Sequence, residues 1–143
     1  MLKKTHALFG MAIASLIFRN IRSYEYIIMT GIFAVISDLD SVIGLKHRGF
    51  THSLSFAFLV SLLLYATSPE GYELAWISAV IGILSHLFLD SLTRGGVPLY
   101  HPLSKKRYSL PLAKHVRYDS LPANLFFIFI SVFLIAKAMG VLV

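Results

Sequence analysis

The sequence predicts an all-α, polytopic membrane protein: one domain over residues 1–143, with about five transmembrane helices and a cytoplasmic N-terminus. Three observations carry this expectation. The 143 residues are 57% hydrophobic and only 14% charged, far from the balance of a soluble domain, and the mean hydropathy is +0.74. Apolar runs recur from end to end and leave no separate soluble unit. The basic residues, which bring the net charge to +6, flank those runs, where they orient helices and meet anionic headgroups. They form no nucleic-acid motif, so no nucleic-acid partner is expected. The absence of cysteine excludes disulfides and thiolate ligands, so a metal site must use nitrogen and oxygen donors.

The first helix is expected over 5–18, with Gly10 and Ala14 as a small face for close packing and His6 at its start. Lys3 and Lys4 ahead of an apolar run resemble a signal peptide. Only about four or five strongly apolar residues precede the Ala12-Ile13-Ala14 stretch, short for a cleavable leader, so the segment reads as a retained helix. Its apolar run of about 12 residues is at the length where a re-entrant segment competes with a full span. A second helix, 24–36, ends at Ser37-Asp38-Leu39-Asp40. Carboxylates at i and i+2 do not share a helix face, so they belong where the helix ends, one placed to bind an ion and the other to orient a ligand.

The connection 46–53 follows, KHRGFTHS, with Gly49 permitting a bend and Thr51 or Ser53 capping the third helix, 53–66. Glu70 and Glu73 lie in a short turn. The fourth helix, 74–92, contains His86 and Asp90 and is stopped by Gly95, Gly96 and Pro98. A basic, proline-punctuated loop over 94–121 leads to a fifth helix, 122–143. With the N-terminus inside, Lys3, Lys4, Lys46, Arg48, Arg94, Lys105, Lys106, Arg107, Lys114 and Arg117 fall on the cytoplasmic side. The outside loops hold only Arg19 and Arg22, with Lys137 near the outer end of the fifth helix, an arrangement the positive-inside rule favours.

That topology brings the polar clusters to one face. His86 and Asp90, four apart, stack on one side of a helix, and ionisable groups within a span mark a functional site. Their partners are His6, Asp38, Asp40 and His52, while His47 and His115 read as loop residues. Mixed His and Asp donors suit Zn²⁺, with Mn²⁺, Fe²⁺ or Mg²⁺ as alternatives. The surplus of donors supplies a second ion, or orienting partners and a general base. Arg48 and Arg94 match the oxygens of a phosphate. Lys105, Lys106 and Arg107 read as a headgroup-facing patch.

His6, SDLD at 37–40, HRGFTHS at 47–53 and SHLFLDSLTRGGVPL at 85–99 together resemble the YdjM family, described as LexA-binding, membrane-bound, metal-dependent hydrolases of the inner membrane. The resemblance covers all but the fifth helix; Ser37 stands where the family commonly has Pro, and His101 is held outside the ligand set. A weaker similarity, in the H-x-x-x-D pattern with scattered His and Asp on helices, is to the zinc-dependent phospholipase C and P1 nuclease class, and implies phosphoester hydrolysis. The expected function is therefore hydrolysis of a phosphoester or other ester on a lipid or lipid-linked substrate at the cytoplasmic interface of a prokaryotic membrane. One or two ions would be held by His6, Asp38, His52, His86 and Asp90, with Asp40 as general base and Arg48 and Arg94 on the substrate. Two other classes use the same residues. A transporter or channel would need polar groups continuing across the outer halves of the helices, and a non-catalytic metal-binding protein would fill every coordination position itself.

Overall fold

The computed structural model describes residues 1–19, 24–41, 44, 48–111, 113 and 116–141. The expectations placed on Arg22, Lys46, His47, Lys114 and His115 lie outside them. Five α-helices follow one another: α1 (Lys3–Ile17), α2 (Tyr24–Ile36), α3 (Leu54–Thr67), α4 (Ala75–Ser91) and α5 (Leu121–Ala138). Short 3-10 turns cover Ser37–Ser41 and Phe50–His52. Among the described residues there is no strand, only an isolated bridge between Val97 and Tyr108.

The helices form where the apolar runs predict them, and their ends have local causes. Ser53 caps α3 by accepting from the Phe56 amide at 3.2 Å, one of the two caps expected. The fifth helix stops at Ala138, short of the predicted 143. Gly140, at φ +74, ends it in a Schellman turn, with Val141 N–H donating to Ala136 O and Gly140 N–H to Lys137 O. On length and composition α5, with 18 residues, is the one described helix able to cross a bilayer unaided; α3 and α4 are apolar but shorter. At 1.5 Å per residue, the 14 residues of α3 reach roughly 21 Å.

Alternate helices run in opposite directions, so one end of the bundle collects His6 of α1, the turn after α2, the turn before α3, the last helical turns of α4 and the start of α5. The central helix is α4, in contact with α1, α2 and α3, while α5 packs on α1. The distribution of side chains is inverted relative to a soluble protein. Fully buried positions include Thr5, Thr30, Ser78, Asn124 and Ser131, whereas Phe58, Leu63, Phe126 and Phe129 are more than half exposed. Polar groups inside and large apolar groups outside is the pattern of helices packed in lipid, where small and hydroxyl residues make the helix interfaces.

Close approach of α2 and α4 rests on Gly82. A Cβ there would meet Thr30 O at 2.6 Å, Phe33 Cβ at 2.7 Å and Ala34 N at 2.8 Å, and two of those atoms are backbone. Gly82→Ala is therefore expected to destabilise the bundle by about 1–3 kcal/mol. A thermal melt in detergent reads this, and an unchanged midpoint would show that α2 and α4 are not in this contact.

Candidate metal centre

Six buried ionisable side chains meet at that end of the bundle: His6, Asp38, Asp40, His52, His86 and Asp90, none more than 7% exposed. The last turns of α4 present His86 and Asp90 together because they are four apart. His86 Nδ1–H donates to the Ala34 carbonyl of α2 at 2.7 Å, which fixes its tautomer and leaves the Nε2 lone pair facing the cluster.

The 3-10 turn after α2 places Asp38 and Asp40 on opposite nitrogens of one imidazole. Asp38 Oδ1 is 3.5 Å from His52 Nε2, and Asp40 Oδ2 is 3.3 Å from His52 Nδ1. Asp40 Oδ2 also accepts from the Arg48 amide at 3.0 Å and the Thr51 hydroxyl at 2.9 Å. These contacts hold the proton of His52 on Nδ1 and turn its Nε2 lone pair inward.

The two inward nitrogens lie 3.2 Å apart. His86 Nε2 is 3.8 Å from Asp38 Oδ1 and 3.7 Å from Asp90 Oδ2, and His52 Nε2 is 3.8 Å from Asp90 Oδ2. Two lone pairs and two carboxylates converging in a buried space call for a cation. Donors sharing one ion at about 2.0–2.1 Å sit roughly 3.3 Å from one another in a tetrahedron, close to these separations. His6 adds a further sign: its ring stacks on His86 at 3.9 Å between centroids, its Nε2 is 3.3 Å from Asp90 Oδ1, and its buried Nδ1 has no hydrogen-bond partner among the described residues. Converging nitrogen and carboxylate donors of this kind fit a metal.

Two triads have metal-ligand spacing, His6–His86–Asp90 and Asp38–His52–His86. Both use His86. With its Nδ1 proton engaged by Ala34, His86 has a single lone pair, so the triads are alternative seats for one ion and cannot both be complete at once.

Asp90 is also contacted from outside the cluster. Its Oδ1 accepts from the Met1 amino group at 2.7 Å, and its Oδ2 lies 3.3 Å from Arg48 Nη2. Arg48, at φ +60, turns inward over Gly95, where a Cβ would collide with the guanidinium. It also donates to Gly96 O at 3.1 Å and Thr93 Oγ1 at 3.2 Å. Beyond it opens a cavity of about 480 Å³, floored by Asp38 and Asp90 and edged by Arg48, Arg94, Arg107 and Arg117.

All five expected ligands thus come together, and Asp40, Arg48 and Arg94 lie around them. Arg107 and Arg117 reach the cavity although their positions in sequence pointed only to a basic loop. Asn124 was also missed. It ties α1 to α5 by accepting from the Leu2 amide and the Thr5 hydroxyl while donating to Tyr118 O and Ser120 O. An asparagine in an otherwise apolar helix was the available signal.

A helical membrane protein with a buried His/Asp cluster able to hold a metal ion is the class that fold and site define. The chain belongs to the YdjM inner membrane protein family, whose model matches residues 1–142. It is 44% identical over 69 residues to inner membrane protein YdjM of Escherichia coli (strain K12), a match covering 46% of this chain and 35% of the relative. Inner membrane protein YbcI of the same organism is 41% identical over 71 residues, covering 46% and 41%. The uncharacterized protein YfhP of Bacillus subtilis (strain 168) is 32% identical over 88 residues, covering 52% and 27%. The chain spans between a quarter and a half of the length of these three curated relatives, and none of their names carries an activity. No solved structure matches the chain.

Proposed function

We propose that this chain is a multi-pass bacterial inner-membrane protein that acts as a metal-dependent hydrolase, with its site at the cytoplasmic face and a phosphoester or other ester of a lipid or lipid-linked molecule as substrate. The observation that carries this reading is that Asp38 and Asp90 belong at once to the metal-binding cluster and to the floor of an arginine-edged cavity. A purely structural metal site is closed, whereas a hydrolytic one must be reached by substrate and water. The inner-membrane location follows from the family and from the names of the E. coli relatives. A multi-pass bundle is supported by the exposed apolar faces and buried polar interior. The cytoplasmic placement rests on Lys3, Lys4, Lys105, Lys106 and Arg107, which lie at or near the metal end, against Arg19 and Lys137 at the far ends of α1 and α5.

In this reading Asp38, His52 and His86 hold the ion, most suitably zinc, because the second nitrogen of each imidazole has a fixed partner. A bound divalent ion supplies Lewis acidity and lowers the pKa of water towards neutrality. Asp90 faces the same point and is held there by Arg48. The contacts of Asp40 Oδ2 to His52 Nδ1, the Thr51 hydroxyl and the Arg48 amide support an orienting role for Asp40 in place of the general base expected from sequence. Transport is less well supported, since the ionisable cluster sits at one end of the bundle and, among the described residues, the buried polar groups towards the other are Ser and Thr hydroxyls and the Tyr26 phenol.

The test is purified protein loaded with zinc or cobalt and presented with a panel of lipid phosphoesters and esters. Turnover abolished by chelation and restored by metal supports the reading. Tight metal binding with no turnover across the panel would reassign the protein as a non-catalytic metal binder. Asp40→Asn should retain the metal stoichiometry while weakening affinity roughly 10–100-fold; unchanged affinity would remove the orienting role.

A further inference from the structure

The described residues of the connection 94–121, of which Lys105, Lys106 and Arg107 were expected to form a headgroup-facing patch, fold back over the metal end of the bundle and are pinned at several points. Arg94 N–H donates to Val116 O at 3.0 Å, Val97 and Tyr108 exchange backbone bonds at 2.9 and 2.8 Å, and Leu110 N–H donates to Ser91 O at 2.9 Å. Two of these three pins adjoin arginines: Arg94 is itself the donor to Val116, Arg117 follows Val116, and Arg107 precedes Tyr108. Three arginines are thereby carried by backbone hydrogen bonds to the rim of one cavity.

The charge around that cavity is unbalanced. Four arginines stand against two carboxylates, and Arg48 is turned onto Asp90, Thr93 and Gly96. Arg117 bonds Asp119 through Nε and Nη2 at 3.0 Å each, which uses two of the five N–H donors of a guanidinium. Arg107 makes one long bond, 3.4 Å, to Gly95 O. A single carboxylate needs one guanidinium fork, whereas a phosphoryl group presents three oxygens and is matched by several forks. A volume of about 480 Å³ lies within the range of small-molecule sites and holds a phosphate with a polar substituent attached.

We propose that Arg94, Arg107 and Arg117 form a receptor for a phosphate group, with Arg48 withdrawn from it as a positioning residue that holds Asp90. Anion binding itself follows from the arginines. The direction in which the bound phosphate presents its ester bond, towards Asp38 and Asp90, rests on the hydrolase reading above.

The test uses the full chain in a maltoside detergent, loaded with cobalt, and titrates inorganic phosphate and a short-chain phosphatidate against wild type, Arg107→Gln/Arg117→Gln and Lys105→Gln. The arginine double variant should bind both probes at least tenfold more weakly with its cobalt spectrum and melting midpoint unchanged, and the exposed Lys105 variant should bind as wild type. A phosphatidate preference of tenfold or more identifies a lipid headgroup as the natural source, and equal affinities identify a soluble phosphate. Wild-type affinity in the double variant, or equal weakening in Lys105→Gln, overturns the receptor. Loss of phosphate binding in the double variant of a chain that takes up no cobalt would uphold the receptor and overturn the metal centre instead.

Discussion

His86→Ala is expected to abolish stoichiometric metal binding, with affinity falling by more than ~100-fold, beyond the 10–100-fold typical of losing an orienting partner. The reason is that His86 Nε2 belongs to both triads, so its removal disables both seats. His6→Ala removes one triad and leaves Asp38, His52 and His86 intact, and should retain about one ion per chain. Elemental analysis of protein purified in zinc, together with the visible spectrum of the cobalt form, separates the two variants. Equal loss of metal in both would place the ion between His6 and Asp90. A His86→Ala protein that binds cobalt like wild type would dismiss the centre altogether. Because His86 Nδ1 also holds the Ala34 carbonyl, a melt of the metal-free proteins is needed to separate loss of the ion from loss of the fold.

Asp90→Ala has the largest expected effect on stability. Asp90 faces the Arg48 guanidinium at 3.3 Å, with the two side chains only 3% and 10% exposed. Removing one partner of a buried pair leaves the other charge uncompensated and costs about 3–5 kcal/mol, which for a chain of this size lowers the melting midpoint by roughly 10 °C. Arg48 also donates to Gly96 O and Thr93, so the rim of the cavity should loosen at the same time. Combining Asp90→Ala with Arg48→Met removes both charges and should recover part of the loss. If the double variant melts no higher than Asp90→Ala alone, the destabilisation comes from something other than the stranded guanidinium.

Much of this centre was legible because it depends on short-range geometry. The four-residue spacing of His86 and Asp90 on a helix can only put them on one face, and Asp38 and Asp40 at i and i+2 can only diverge. The 3-10 turn makes that divergence useful by setting the two carboxylates on the two nitrogens of His52. Arg107, Arg117 and Arg48 were misjudged or incomplete for the opposite reason. Where they point is set by backbone bonds between residues far apart, such as Arg94 to Val116 and Leu110 to Ser91, and by the left-handed backbone at Arg48. No local periodicity encodes those contacts. The end of α5 shows the same division on a small scale, since Gly140 stops a helix whose apolar pattern runs on to the terminus.

From the amino-acid order alone follow the number and placement of the helices, the donor types a metal would find, and the family. The helices and the donors depend on the hydrophobicity, identity and spacing of neighbouring residues, and the family on the resemblance of its motifs. Tertiary structure decided which donors share a space. His52 and His86 are 34 residues apart in the chain and 3.2 Å apart at their nitrogens, an approach made because α3, which begins just after His52, packs against α4. It also decided that the lone pair of His86 is on Nε2, because the Ala34 carbonyl, 52 residues away, accepts the hydrogen bond of Nδ1–H.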